Sequence, residues 1–312
     1  MAAIANVNGT ITDGREAVVP VFDHGFLFGE GVYETLRTYN GRPFLLDRHL
    51  RRLRTSASMI TLDVPLNNEE FGARLTETVR AAAERSSPSA ASAPSSPSSP
   101  SEWYIRILLT RGVGDLTYDP AACPTPSVVI IVKPLDAPKP ETYEHGVSVV
   151  LVSVMRNHPG TVNPLIKSNN LLNNALAMQE AVRRGAFEGV MRNYRGEISE
   201  CTTANIFVVK DGLALTPPLD AGLLAGITRE FLFELGPGQS VPVRDAVLRD
   251  DDLFGADEAF LTSTTRELVP IVRVDDRVIG DGKPGPVTRK LLQTFRDQAQ
   301  ALTKTSKVAR GL

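Results

Sequence analysis

The chain has 312 residues, of which 42% are hydrophobic, and its formal net charge at pH 7 is −2. This size and composition are typical of a globular enzyme with enough apolar residues for one large domain or two modest ones. The nearly balanced charge offers no electrostatic footprint for nucleic acid or an anionic membrane, so the expected partner is a small molecule.

The two cysteines bear on possible metal sites, and the N-terminal residues bear on the cellular location of the protein. Cys123 and Cys201 are far apart and lack the spacing of a disulfide framework or a zinc site, so no metal is predicted. The first residues carry neither a basic start nor an apolar run, and no apolar segment approaches the roughly 20 residues that span a bilayer. We therefore expect a cytoplasmic protein.

The first part of the chain is predicted to form a small α/β domain over residues 1–133. Asn8-Gly9 between two short apolar segments favours a β-hairpin. Apolar residues at helical spacing from Leu50 to Ile60 predict a helix, and strands are expected from Trp103 and over Val128 to Val132. Residues 86–101 are almost all Ser, Ala and Pro, which predicts a flexible insertion.

A stiff segment rich in proline, residues 134–140, is predicted to link this domain to a larger one over residues 141–312. Strands and helices alternate in that second part, which favours a mixed α and β fold with a curved or barrel-like sheet. The predicted strands are 147–154, 190–193, 206–209, 258–262 and 271–274, and the predicted helices are 170–184, 226–235 and 286–298.

Four segments of the second part match the needs of pyridoxal phosphate. An aldehyde cofactor requires an uncharged amine, a carboxylate for its ring nitrogen, and backbone donors with an arginine for its phosphate. Lys167 is expected at the start of a helix, where the helix dipole and burial would lower the pKa of its amine. Glu200 supplies a carboxylate, and the free amides of Gly226–Thr228 and of Thr262–Thr265 suit anions.

Each of these segments alone has a structural interpretation: a solvated lysine, a hairpin carboxylate, a helix start or a polar turn. Their joint order resembles that of the class IV, fold-type IV pyridoxal-phosphate aminotransferases, a family that includes branched-chain and D-amino-acid aminotransferases and aminodeoxychorismate lyase. The resemblance covers nearly the whole chain. It is carried by Asp23–Glu34, His49–Leu53, Lys167 with its helix, Glu197–Glu200, Gly226–Thr228, Thr264-Thr265 ahead of Glu267, and residues 280–288.

The resemblance implies a role for each matching residue. Lys167 would form the Schiff base with the cofactor and move the proton, and Glu200 would bind the pyridine nitrogen. The phosphate would be held by Arg52, Ile227, Thr228 and Thr264. The implied fold is a small α/β domain and a larger pseudo-barrel α/β domain, in a homodimer whose second subunit completes each active site.

The resemblance to branched-chain enzymes also implies a set of substrate residues. Tyr104-Ile105-Arg106 resembles a strand whose tyrosine helps the amides of Thr264 and Thr265 to bind the substrate α-carboxylate. Arg37 resembles a residue that meets the distal carboxylate of glutamate, and Tyr33 belongs to the same substrate set. We therefore expect transfer of an amino group from L-branched-chain amino acids to 2-oxoglutarate.

Two other activities stay open at this point. The segment 111–118 lacks the histidine of a D-amino-acid carboxylate trap, but Phe28, Leu172 and Asp23-His24-Gly25 resemble the D-enzymes more closely. A D-amino-acid or broad-specificity amine transaminase is therefore the first alternative, and aminodeoxychorismate lyase, with the same cofactor and lysine, is the second. The loop 111–123 is expected to cover a site, in this subunit or its neighbour.

Overall fold

The computed structural model describes residues 3–86 and 102–304. Its elements form two β-sheets flanked by helices, so the predicted mixed α and β fold class is confirmed. Apart from Ser86, which ends a helix, the predicted insertion 86–101 lies outside the described residues.

The first sheet has six strands, and every neighbouring pair is antiparallel. The predicted hairpin is present, with Asn8 at φ 51° and Gly9 at φ 97°, the left-handed conformation that a tight hairpin turn requires. The order is β2-β1-β6-β5-β3-β4, where the strands are β1 (Ile4–Val7), β2 (Thr10–Asp13), β3 (Gly31–Tyr39), β4 (Arg42–Pro43), β5 (Trp103–Thr110) and β6 (Ser127–Pro134).

The second sheet has nine strands and mixes parallel with antiparallel pairs. The strands are β7 (Val147–Leu151), β8 (Glu188–Arg192), β9 (Ile198–Cys201), β10 (Asn205–Lys210), β11 (Leu213–Thr216), β12 (Val243–Asp245), β13 (Glu258–Ser263), β14 (Glu267–Val274) and β15 (Arg277–Val278). Their order in the sheet is β12-β11-β10-β13-β14-β7-β8-β9, and β15 pairs with β14.

Eight α-helices accompany the sheets in the described residues. They are α1 (His24–Leu27), α2 (Leu46–Ser58), α3 (Asn68–Ser86), α4 (Pro140–His145), α5 (Leu172–Arg183), α6 (Ile227–Gly238), α7 (Asp250–Phe254) and α8 (Pro286–Thr303). Helices α6 and α8 run a few residues past their predicted ends, and α6 accommodates Pro237 in its last turn. None of the described helices is long and apolar enough to cross a bilayer.

Strand alternation gives the second sheet an apolar layer on each face. Ile206 and Val208 of β10 pack with one buried cluster, while Phe207 and Val209 pack with another that includes α6 and α8. Successive side chains of a strand point to opposite faces, so a continuous apolar run indicates a strand covered on both sides. The second cluster also contains Phe44 from the first part of the chain, which ties the two sheets together. The division at residues 134–140 stays a prediction.

Candidate active site

A cavity of about 470 Å³ is lined by residues of both sheets. Its walls come from β3, α2 and β5 on one side and from β9, β10, the start of α6 and the β13–β14 turn on the other. All the sequence-predicted site residues except Arg37 line it: Tyr33, Arg52, Tyr104, Arg106, Lys167, Glu200, Ile227, Thr228, Thr264 and Thr265.

Lys167 is held in the cavity wall through its backbone. Its amide donates to Oγ of Ser56 at 3.1 Å, and its carbonyl accepts from the amide of Tyr33 at 2.9 Å. The Nζ atom lies 4.4 Å from the centroid of the Tyr33 ring. These contacts from α2 and β3 involve only the backbone of Lys167, so its side-chain amine remains available inside the cavity.

The predicted position of Lys167 relative to the helix is wrong. Helix α5 begins at Leu172, and Ser168 forms a β-bridge with Val32 instead of a helical turn. The influence of a helix dipole falls off within the first turn, so α5 does not act directly on this amine. The pairing with β3, which joins residues far apart in the sequence, places the lysine.

Glu200 is buried, and the chain holds both of its carboxylate oxygens. Nε of Arg156 donates to Oε1 at 2.7 Å, and the Leu224 amide donates to Oε2 at 3.0 Å. Nδ2 of Asn205 lies 3.3 Å from Oε2 and 3.0 Å from the carbonyl oxygen of Leu224. Arg156 balances the buried charge, and the three donors fix the direction of the carboxylate.

Arg52 belongs to a second buried network. Its Nε and Nη2 donate to the two oxygens of Glu34 at 2.7 and 2.8 Å, and its Nη1 donates to the Ala225 carbonyl at 2.7 Å. The bond to Ala225 brings the guanidinium to the start of α6. Burial acts to raise the pKa of Glu34, but Arg52 and His49 together outweigh it and hold that pKa well below its usual range.

His49 completes this network as a neutral donor. Its Nδ1 lies 2.7 Å from Oε2 of Glu34, and burial lowers the pKa of the imidazole. Because Glu34 is ionised and can only accept, the proton of the neutral ring sits on Nδ1. Nε2 is then a buried acceptor, and it has no hydrogen-bond partner among the described residues.

The start of α6 offers free backbone donors to the cavity. The N-cap is Gly226, and it makes no side-chain capping bond. The first amides of a helix have no acceptor within the helix, so those of Ile227 and Thr228 are available to an anion. A Cβ at Gly226 would collide with Oδ1 of Asn205, so only glycine allows the chain to pass this close.

The β13–β14 turn forms the opposite rim. Thr264 and Thr265 lie in the turn, outside the ladder that ends with the pair Ser263 and Glu267. Arg266 anchors the turn through Nη2, which donates to Oε2 of Glu188 at 3.1 Å. The turn therefore presents its amides from a fixed position.

The structure corrects the prediction for Arg37. Its side chain does not line the cavity, because Nη1 donates to Oε1 of buried Glu267 at 3.3 Å and the guanidinium lies 4.1 Å from the Tyr39 ring centroid. Its guanidinium is thus already paired with a carboxylate of the protein. Arg37 is therefore a structural ion-pair residue.

Sequence reasoning gave no role to several residues of the site. Glu34 and His49 stand inside segments that carried the family resemblance, so a closer reading of those segments could have found them. Arg156 and Asn205 belong to no such pattern, and only the fold brings them to Glu200.

The residues present fit pyridoxal phosphate. An amine, an oriented carboxylate and uncapped helix amides beside an arginine face one cavity, and Oγ1 of Thr262 is a further buried polar atom in its wall without a partner among the described residues. The described residues contain no group of three or more His, Cys, Asp or Glu side chains that could hold a metal ion.

Comparisons with known proteins bear on the family of this chain. The sequence profile of amino-transferase class IV matches residues 31–274. A putative branched-chain-amino-acid aminotransferase of Methanocaldococcus jannaschii is 38% identical over 291 residues, 93% of this chain and 94% of that protein. A D-alanine aminotransferase of Bacillus licheniformis is 32% identical over 300 residues, 96% of this chain and 98% of that protein.

The fold is similar to that of a solved aminotransferase. The branched-chain amino acid aminotransferase of Escherichia coli has a TM-score of 0.86 and 29% identity, with 98% of this chain and 97% of that chain covered. The chain therefore belongs to the class IV aminotransferases, the fold-type IV enzymes that use pyridoxal 5'-phosphate.

Proposed function

We propose that this aminotransferase moves the amino group of an L-branched-chain amino acid to 2-oxoglutarate. One observation carries the proposal: of the four arginines that line the cavity, Arg106 is the one without a carboxylate partner among the described residues. The other three are paired, Arg52 with Glu34, Arg156 with Glu200 and Arg266 with Glu188. A guanidinium left free inside a cavity suits the distal carboxylate of a dicarboxylic acceptor.

The rest of the cavity suits an aliphatic amino acid. Val162, Ile166, Leu171 and Met178 contribute apolar surface to its walls. The amides of the Thr264-Thr265 turn, with Tyr104 nearby in the lining, are the proposed site of the α-carboxylate, the group that donor and acceptor share.

The chemistry divides among residues of this chain. Bound pyridoxal phosphate would hold the amino group between the two half-reactions and withdraw electrons from the substrate Cα. Nζ of Lys167 would anchor the cofactor, and as a free amine it would accept the α-proton from the substrate Cα and hold it until the proton is returned. Glu200 would keep the ring nitrogen protonated, and Arg52 with the amides of Ile227 and Thr228 would hold the phosphate.

The contacts of Arg111 favour L-amino acids over D-amino acids. Nε of Arg111 donates to Oε2 of Glu30 at 2.9 Å, and its Nη atoms donate to the Ile60 and Thr61 carbonyls. Its donors are therefore not available to bind a substrate carboxylate. Phe28 packs on His24 and Tyr118, and neither Phe28 nor Leu172 lines the cavity. The two side chains that resemble D-enzymes therefore do not contact the space for the substrate within one chain.

A homodimer that completes the site is part of the proposal. The first segments and the loop after β5 expose large apolar side chains, among them Phe26 at 72%, Leu116 at 68% and Tyr118 at 80%. Exposed apolar patches of this kind are typical of interfaces. Sedimentation velocity tests the point, and a monomer at micromolar concentration with full activity would contradict it.

The first test follows the visible absorption of the bound cofactor in separate half-reactions with L-leucine and D-alanine. We expect the band to be lost with L-leucine and restored by 2-oxoglutarate. Loss of the band with D-alanine alone would overturn the stereochemical assignment. That result would agree with the similarity to the D-alanine aminotransferase. Release of pyruvate from aminodeoxychorismate, without transamination of either amino acid, would instead identify a lyase.

A further inference from the structure

The ring of Tyr33 supports the guanidinium of Arg106. Tyr33 lies on β3 opposite Leu108, and Arg106 on β5 lies opposite Thr35, so Tyr33 and Arg106 are diagonal neighbours on one face of the sheet. Cζ of Arg106 is 4.0 Å from the ring centroid, within the range of a cation–π interaction.

This contact holds the guanidinium without using its hydrogen bonds. A planar guanidinium that packs on an aromatic ring keeps its N–H groups free for a carboxylate in its own plane. Arg106 makes no hydrogen bond or ion pair with the described residues, so its donors are available to a ligand. The ring also replaces part of the hydration that the cation loses in the cavity.

We propose that Tyr33 is a specificity-determining residue, which positions Arg106 to receive the distal carboxylate of a dicarboxylic substrate. When the substrate side chain is aliphatic, the guanidinium of Arg106 keeps its contact with the Tyr33 ring. Its charge then still has a favourable partner beside the apolar group. One cavity can then accept both an aliphatic donor and a dicarboxylic acceptor. This inference rests on the proposed function and names the residue that permits its two substrate classes.

The position of Tyr33 is itself fixed from the catalytic side. Its amide donates to the Lys167 carbonyl at 2.9 Å, and its ring lies 4.4 Å from Nζ of that lysine. Tyr33 therefore fixes the position of the Arg106 guanidinium relative to Nζ of Lys167. If the Tyr33 ring acted only on Lys167, its substitution would change the rate of proton transfer and leave the affinity for a dicarboxylate unchanged.

The test compares two ligands that do not react: glutarate, which has two carboxylates, and 4-methylpentanoate, which has one carboxylate and an aliphatic end. Calorimetry on the holoenzyme measures both dissociation constants. We expect Tyr33→Leu to weaken glutarate about tenfold and to change 4-methylpentanoate by less than about twofold, in line with the size of a partly desolvated cation–π contact. Tyr33→Phe, which keeps the ring, should restore the wild-type ratio of the two constants.

A double-mutant cycle with Arg106→Leu separates this role from a general effect on cavity shape. If the ring acts through the guanidinium, adding Tyr33→Leu to Arg106→Leu produces no further loss of glutarate affinity. Independent losses, or equal weakening of both ligands by Tyr33→Leu, would overturn the inference and leave the proposed function standing. Wild-type enzyme that binds 4-methylpentanoate but neither binds glutarate nor accepts 2-oxoglutarate would overturn both.

Discussion

Arg37 and Glu267 form a buried ion pair, with Nη1 3.3 Å from Oε1, and so join β3 of the first sheet to β14 of the second. Glu267 also accepts from the Tyr39 hydroxyl at 2.6 Å and from Nε of Arg296 at 2.7 Å. The carboxylate thus connects β3, β14 and α8 at one point.

We expect Arg37→Gln to destabilise the protein because it leaves a buried carboxylate short of one partner. The free energy of unfolding should fall by about 3 kcal/mol. The KM for 2-oxoglutarate should stay within about twofold, because Arg37 does not line the cavity. Urea denaturation and steady-state kinetics measure the two quantities, and a large rise in KM with unchanged stability would restore Arg37 as a substrate residue.

Lys167→Ala should abolish amino transfer, because no other lysine of the described residues lines the cavity. We expect the rate of the L-leucine half-reaction to fall by at least about a thousandfold. Stopped-flow absorption measures it. Lys210→Ala is the matched control, since Lys210 lies at the surface beside Asp257. A Lys167→Ala enzyme that turned over at the wild-type rate would exclude the mechanism.

Glu200→Gln should lower the rate and leave the fold intact. The amide keeps the shape of the side chain but lacks the charge that holds a ring nitrogen protonated, so we expect a loss of about a hundredfold in the half-reaction rate. The absorption maximum of the bound cofactor should shift as well. A variant with the wild-type spectrum and rate would show that Glu200 serves only as the partner of Arg156.

The Glu34 and His49 pair predicts how stability depends on pH. The pKa of Glu34 is lowered from 4.5, so its contribution is present above that pH and is lost as the pH falls toward the lower folded value. The pKa of His49 is lowered from 6.5, so below that pH the unfolded chain binds a proton that the folded chain does not. Both effects reduce stability on acidification.

His49→Asn isolates the histidine contribution, because its amide can still donate to Glu34. Between pH 7 and pH 5 the wild-type free energy of unfolding should fall more steeply than that of the variant, by up to about 1.4 kcal/mol per pH unit. Urea titrations across this range measure the difference. Identical slopes would mean that His49 binds its proton equally well in the folded and the unfolded chain, so that burial does not lower its pKa.

Gly226→Ala should weaken cofactor binding through Asn205. The new Cβ pushes on Oδ1 of Asn205, whose Nδ2 contacts Glu200 and the Leu224 carbonyl. We expect the dissociation constant of pyridoxal phosphate, measured by equilibrium dialysis, to rise about tenfold. Gly72→Ala in α3 is the control, since a Cβ there meets no atom within 4 Å. Equal affinities of the two variants would count against the role of this close approach.

The sequence by itself determined several of the elements and the local parts of the site. A hairpin turn at Asn8-Gly9, an uncapped helix start at Gly226 and a tight turn at Thr264-Thr265 depend on neighbouring residues, so their patterns can be read along the chain. The lysine and the carboxylate were found because their types and order match a known cofactor chemistry. The placement of Lys167 was missed, because a bridge between distant segments sets it.

Only the tertiary structure decided what each arginine does. Arg37, Arg52, Arg106 and Arg156 carry the same charge in the sequence, and Coulomb attraction depends on distance in space. Folding brings Glu267, Glu34 and Glu200 to three of them and leaves Arg106 on an aromatic ring. Partners that lie 230 residues apart, as Arg37 and Glu267 do, have no local signature. The free guanidinium, and with it the proposed acceptor site, is therefore a property of the fold.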